Sequence, residues 1–410
     1  MFKFRFDTDT LKPISQYLFE IKQSSDISPK RLFIYPTGLC DDKCKYCVDG
    51  VNAKDTAFLQ YNKEKDFFGN RLYIDKLISD IIKLKIIDLH IFGGGEPFFY
   101  KENLFYFLDK LKKVDIFTRV ITNANSLNDA DIKMIVAEKL LSQLNISFST
   151  DSDAAAKNIY ARAERHAHSL EVLNSITRYK HIYKTDFPKI HVMFVILNIN
   201  YNKVVEIIEL LKEHAIEFFM FQPLRIPLNA RMEMALSQEQ EQEFIKSIPD
   251  IEKMLKKHNM RSNIDSLKPL SSSPLNTQVT EGMFSEWVKG NNLAGNFYGA
   301  ASCNSQLINK YCLKITCHMP LTTTAICYNG NIPFCAFKYN EQYRLNYFDT
   351  PSLLAFVQSQ EHKGFVNYFI NGTLPEICKD CSFCIPCENE AIKHNFANLL
   401  ENAAQHIHKN

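Results

Sequence analysis

The placement of the twelve cysteines constrains this chain more than any other feature. Three stand at Cys40, Cys44 and Cys47, nine lie between Cys303 and Cys387, and none lies between the two groups. A disulfide framework belongs to small secreted chains, and this one has 410 residues. Thiols that merely fill a core would be scattered along the sequence. Clustering at spacings of two and three residues points instead to metal or iron–sulfur ligation.

The rest of the composition is that of an ordinary folded protein, 46% hydrophobic and 23% charged. A formal net charge of +2 and the lack of a basic block argue against a nucleic-acid partner. Met1 to Pro13 contain no apolar core of a secretory signal. The longest uncharged apolar run, Val192 to Leu197, falls far short of the about 20 residues that cross a bilayer. The expectation is a cytoplasmic protein with no membrane partner.

From Arg31 to about Arg225 short apolar runs alternate with amphipathic segments. Strands are expected at Arg31–Tyr35, Ile87–Phe92, Phe117–Ile121, Leu144–Ser149, Ile190–Leu197 and Glu217–Gln222. Their Ile, Val and Phe content suits a parallel sheet buried on both faces. Helices are expected at Leu72–Leu84, Lys101–Lys113, Ala130–Leu141, Ala167–Arg178 and Lys203–His214. Repeated strand–helix units imply an α/β fold, a partial (β/α)6 TIM-like barrel, with a smaller C-terminal cysteine-rich iron–sulfur domain. The division expected is an N-terminal extension at 1–30, the barrel at 31–228, a bridging helix and linker at 229–302, the cysteine-rich domain at 303–390 and a polar helical tail at 391–410. A polar helix near Ser237–His258 and another near Ser352–Phe369 fall in the later segments.

The first cysteines read Cys40-Asp-Asp-Lys-Cys44-Lys-Tyr46-Cys47, directly after the first strand. Three thiolates at this spacing can hold three irons of a [4Fe–4S] cube and leave the fourth iron open. Three ligands plus water is also a catalytic zinc arrangement, although zinc motifs more often pair two-cysteine units. The C-x3-C-x2-C spacing, with an aromatic before the last cysteine, resembles the signature of the radical S-adenosylmethionine (radical SAM) superfamily. That resemblance implies that S-adenosyl-L-methionine chelates the open iron and is cleaved reductively to a 5′-deoxyadenosyl radical. The radical then takes a hydrogen atom from a substrate. Further motifs carry the same resemblance. Gly93-Gly94-Gly95-Glu96-Pro97 after the second strand resembles the family turn that binds the amino group of SAM, which implies Gly94, Gly95 and Glu96 as cofactor contacts. Thr122-Asn123-Ala124 resembles a "TNG" turn, with Ala124 where glycine is commoner. Ser147-Phe-Ser149-Thr-Asp151 resembles an "SLD" element. Arg162 stands where related enzymes carry a basic residue near the SAM carboxylate. Asn123, Ser149 and Arg162 complete the implied cofactor-binding set.

In the second group, Asn329-Gly330 between Ala325–Tyr328 and Asn331–Phe334 signals a β-hairpin. It would bring Cys317 and Cys335 together, and a returning helix could deliver Cys378 and Cys381. Four soft ligands suit a closed [4Fe–4S] cluster or structural zinc. The pattern resembles the SPASM/twitch auxiliary-cluster domains: Cys317, Gly330 and Cys335 match one element, and Cys378, Cys381 and Cys387 match another. Ala391 stands where the two-cluster version has a further cysteine, so at least one auxiliary [4Fe–4S] cluster is implied. Cys303, Cys312, Cys327 and Cys384 are left without an assigned role.

The functional expectation is a radical SAM enzyme, fed electrons by a reductant such as flavodoxin or ferredoxin, with net oxidation through the auxiliary cluster as one outcome. About 30 residues precede the first strand, fewer than a peptide-leader recognition domain needs. That favours a small-molecule substrate of sugar, aminocyclitol or nucleoside type over a peptide or protein. A non-catalytic iron–sulfur or zinc-binding protein is the alternative of another class, and it would have no use for the Gly93–Pro97 turn.

Overall fold

The computed structural model describes residues 28–47, 66–224, 232–267, 319–336, 343–370 and 375–378. Its centre is a parallel sheet built from β1 (Arg31–Ile34), β2 (Asp88–Ile91), β3 (Phe117–Thr122), β4 (Gln143–Ser147), β5 (Lys189–Ile196), β6 (Ile216–Pro223), β7 (Arg261–Ser262) and β8 (Thr323–Ile326). The strand order is β7-β6-β5-β4-β3-β2-β1-β8, and every neighbouring pair is parallel. All six strands read from the sequence are present and neighbour one another in chain order. The sheet has eight strands rather than six, because two short edge strands come from segments without a clear apolar run.

Helices occupy the crossovers: α1 (Arg71–Leu84), α2 (Lys101–Leu111), α3 (Asp129–Ala137), α4 (Asp153–Tyr160), α5 (Arg165–Ile182) and α6 (Val204–Leu210), followed by α7 (Gln238–Lys257). Their starts follow from local chemistry. The Asn70 side chain accepts from Leu72 N at the head of α1. Asn128 and Asp131 form a capping box on α3, and Ser237 and Gln240 form one on α7. On the sheet face that packs under the helices, Leu32, Ile34, Leu89, Ile91, Val120, Leu144, Ile146, Val192, Phe194, Phe219 and Phe221 are buried in one hydrophobic core.

Successive side chains of a strand point to opposite faces, and here the other face carries a polar network beside Phe33, Ile121 and Phe218. Arg31, Asp88, His90, Arg119, Gln143, Asn145 and His191 occupy the alternate positions of β1 to β5. This corrects the expectation of strands apolar on both faces. The exception is possible because the groups pair with one another. Asp88 accepts from the buried Arg31 at 2.7 Å and contacts the buried His90 at 3.0 Å and the partly exposed Arg119 at 3.1 Å. Burial opposes ionisation of Asp88, yet Arg119, His90 and Arg31 together hold its carboxyl well below the usual range. Gln143 donates to Asn145 Oδ1 at 2.6 Å and bonds His191 Nδ1 at 2.9 Å. Asp88 and Gln143 begin their strands, so this network lies at the end of the sheet opposite the cysteine loop.

Beyond the sheet lie α8 (Met319–Thr322), β9 (Asn331–Pro333), β10 (Tyr343–Asn346), α9 (Leu353–Gln358) and α10 (Gln360–Ile370). The hairpin expected across Asn329-Gly330 is corrected. The turn forms, with Cys327 N donating to Asn331 O and Gly330 N to Cys327 O. However, β8 pairs with β1 of the central sheet, and β9 pairs antiparallel with β10. The helix expected near Ser352–Phe369 is two helices, broken at Ser359, whose ψ of 153° is extended. Among the described residues no helix is long and apolar enough to cross a membrane.

His362 in α10 is 4% exposed, its ring against Phe356, and its Nδ1 bonds Val357 O at 3.0 Å. Burial lowers its pKa from 6.5 to about 4. The unfolded chain binds this proton below pH 6.5 and the folded chain does not, so His362 costs stability as pH falls through that window. Chemical denaturation should therefore show the stability gap between wild type and H362Q moving in favour of H362Q, by roughly 2–3 kcal/mol, between pH 7 and pH 4.5. A gap independent of pH would contradict the neutral, buried ring.

Candidate active site

The loop carrying Cys40, Cys44 and Cys47 leaves the carboxyl end of β1 and lies on the turn that follows β2. The contact is backbone on backbone. Thr37 and Gly94 form an isolated parallel bridge, and Glu96 N donates to Leu39 O at 2.8 Å. A Cβ at Gly95 would stand 1.9 Å from Leu39 O, and one at Gly94 would stand 2.6 Å from Thr37 O. Gly94 also has φ of +71°, a region costly for any other residue. The glycines thus have a use the sequence reading missed: they let the cysteine loop seat against the turn.

Glu96 is buried, and its carboxylate is already engaged within the protein. Oε1 accepts from Phe98 N at 3.1 Å and from the Thr122 hydroxyl at 2.5 Å, and Oε2 accepts from Asn123 N at 2.8 Å. It joins the turn after β2 to the turn after β3. Burial raises its pKa to about 7, against the pull of these three donors. Asn123 continues the chain of contacts, donating to Asp41 Oδ1 at 2.7 Å and lying 3.8 Å from Cys40 Sγ. The next residue, Ala124, sits at φ of +65°, which explains why the resembling turns favour glycine there.

Ser149 is fully buried; its hydroxyl accepts from Val195 N at 2.9 Å and its N–H donates to the Tyr160 hydroxyl at 3.0 Å. Arg162 lies at the surface, donating to Asp41 O at 3.2 Å and pairing with Glu164 at 3.1 Å. Gly94, Gly95, Glu96, Asn123 and Arg162 are thereby gathered around the cysteine loop, while Ser149 stands one layer behind it through Tyr160.

Two residues absent from the sequence-level site hold the loop from its other side. Arg165, at the start of α5, pairs with Asp42 at 2.6 Å, both side chains 1% exposed. The same guanidinium donates to Cys44 Sγ at 3.6 Å and to Ser147 O at 3.1 Å, and it stacks 3.4 Å above the Tyr160 ring. Asp42 takes a second bond from Asn125 Nδ2 at 2.8 Å. One signal could have pointed here: Asp41 and Asp42 stand side by side in the cysteine loop, and Arg162 and Arg165 follow the fourth strand. Tyr46 packs edge-on against Tyr160 at 6.2 Å, which gives the aromatic before Cys47 a structural role.

The donor set suits a thiophilic cofactor. Cys40 Sγ accepts from Asp42 N at 3.4 Å and faces the Asn123 amide, and Cys44 Sγ faces Arg165, so N–H groups surround the sulfurs. Burial pushes the thiol of Cys44 up to about 12 against the opposing charge of Arg165. A metal centre bound there would deprotonate its coordinating thiols. Among the described residues no three His, Cys, Asp or Glu converge on a single-ion position. The fit therefore rests on the donor set and its N–H surroundings. In the second group, Cys327, Cys335 and Cys378 are buried. Cys303, Cys312, Cys317, Cys381, Cys384 and Cys387 lie outside the described residues.

Residues 34–211 match the Radical SAM superfamily, a span that covers the cysteine loop, the glycine turn and strands β2 to β5. No curated protein matches the sequence. Among solved structures, the chain is similar to SuiB of Streptococcus suis bound to S-adenosylmethionine, with 18% identity, a TM-score of 0.56, and 93% of this chain and 75% of that chain covered. SuiB bound to its precursor peptide SuiA matches at 16% identity and a TM-score of 0.56, over 93% of this chain and 76% of that one. The enzyme anSMEcpe with bound AdoMet and the Cp18Cys peptide matches at 16% identity and a TM-score of 0.52, over 92% and 99% of the two chains. Likeness at such identities establishes the fold.

The seating of the loop on the turn is directly testable. G95A places a methyl where the Leu39 carbonyl stands, so the loop must lift off. Anaerobic reconstitution should give a variant that folds but binds less iron than wild type at the N-terminal site, and overpacking should lower its stability by about 1–3 kcal/mol. Unchanged iron content and stability would refute this packing.

Proposed function

We propose that this chain, which matches the Radical SAM superfamily over residues 34–211, is an enzyme of that class in which Cys40, Cys44 and Cys47 hold the [4Fe–4S] cluster that binds S-adenosyl-L-methionine. The observation carrying this reading is the backbone seat of the cysteine loop on the Gly93–Glu96 turn, at the carboxyl ends of parallel strands, where β/α folds build their sites. Such a cluster would supply the electron for reductive cleavage of S-adenosylmethionine, the chemistry by which the family takes a hydrogen atom from a substrate.

The protein residues position and enclose. Gly94 and Gly95 present backbone groups beside the loop, and Glu96 fixes the turn so that those groups stay aimed. Asn123 and Arg162, both bonded to Asp41, close the rim of the loop. In this reading Ser149 orders the end of β4 behind the cofactor. The buried positions of Cys335 and Cys378 are compatible with an auxiliary cluster completed by Cys317 and Cys381, which would accept an electron in an oxidative outcome.

Two substrate classes stay in play. A small molecule of sugar, aminocyclitol or nucleoside type is the first. The peptide reading draws support from the precursor peptide bound to SuiB and the Cp18Cys peptide bound to anSMEcpe, proteins of like fold.

Incubation of the reduced, reconstituted chain with S-adenosylmethionine should yield 5′-deoxyadenosine. The triple variant C40A/C44A/C47A should yield none above background, a loss of at least about 100-fold. Retention of 5′-deoxyadenosine formation by that variant would sink the site assignment.

A further inference from the structure

We propose that Arg165 is a positioning residue that sets the reduction potential of the cluster held by Cys44, and that Asp42 opposes it. The inference rests on the assignment of Cys40, Cys44 and Cys47 as cluster ligands and goes beyond it. Arg165 is the group among those described that joins three requirements. It carries a permanent charge, its side chain is 1% exposed, and its Nη1 lies 3.6 Å from a ligand sulfur. Its pose is over-determined: Asp42 at 2.6 Å, Ser147 O at 3.1 Å and the Tyr160 ring at 3.4 Å fix the guanidinium from three directions. The side chain cannot swing away from Cys44 without leaving all three.

Physical chemistry then gives the sign. Reduction adds one negative charge to the cluster. An N–H donor to a ligand sulfur and a nearby buried cation both stabilise that charge and raise the potential. The low local dielectric keeps the effect from being screened away. Asp42, whose Oδ2 lies 3.8 Å from Cys44 Sγ, acts with the opposite sign. The pair therefore places two counteracting charges against one ligand, and removing either end should move the potential in a different direction. A purely structural ion pair predicts something else: loss of either partner would loosen the same loop and change both variants alike.

The test is a redox titration of the reconstituted full chain without S-adenosylmethionine, followed by the EPR signal of the reduced cluster. The relevant signal is the one absent from C40A/C44A/C47A. At a fixed potential, R165Q should reduce the ratio of reduced to oxidised cluster about tenfold, equivalent to about 59 mV for one electron. R165K, which keeps the charge but loses the planar fork, should shift it less. D42N should raise the ratio, and it reports on the charge even where R165Q takes up little iron. Potentials unchanged in a loaded R165K, R165Q or D42N, or shifts of the same sign in R165Q and D42N, would overturn the inference. A wild-type chain that takes up no cluster on Cys40, Cys44 and Cys47 would instead overturn the ligand assignment on which it stands.

Discussion

The approach of two backbones, Thr37 to Leu39 on one side and Gly94 to Glu96 on the other, is the contact on which the rest of the site depends. It needs a chain segment with no side chain at Gly95, because the Leu39 carbonyl occupies that space. Everything downstream is built on this seat. Once the loop lies there, Glu96 can reach Thr122 and Asn123, Asn123 can reach Asp41, and the turns after β1, β2 and β3 become one hydrogen-bonded unit. The opposite flank closes through Asp42, Arg165 and Tyr160. Cofactor chemistry in such a frame needs little from individual side chains beyond a fixed position and exclusion of water.

The sheet supports this arrangement by being different on its two faces. Its helix-covered face is apolar and supplies the core. Its other face carries the Arg31–Asp88–Arg119 cluster at the strand starts and leaves the carboxyl ends to the cysteine loop. A buried ion cluster of this kind contributes little net stability when complete, but each partner leaves an uncompensated charge if removed. That property pins the register of β1, β2 and β3, and the register in turn sets the heights of the three turns that meet at the site.

The first six strands were legible in the sequence because each is an apolar run bounded by turn residues, and the cysteine and glycine motifs were legible because their spacing is itself chemical information. Other features were hidden for physical reasons. The polar positions of the strands were not read as a network, because Asp88 and Gln143 meet their partners on neighbouring strands only in space. Thr323 to Ile326 looked like half of a hairpin, since nothing local to Asn329-Gly330 tells β8 that β1 is a better partner. The break at Ser359 leaves no mark in the apolar pattern of the flanking helices. Arg165 was missed because its partners Asp42 and Cys44 lie more than a hundred residues away, and no local pattern announces a long-range ion pair.

The central claim is that the loop of Cys40, Cys44 and Cys47, seated on the glycine turn, holds a complete iron–sulfur cluster. Counting iron and acid-labile sulfide after anaerobic reconstitution tests it most directly, in wild type and in C40A/C44A/C47A. The account predicts a loss of about four irons and about four sulfides in the triple variant, whatever the C-terminal cysteines retain. Equal counts in the two proteins would contradict it.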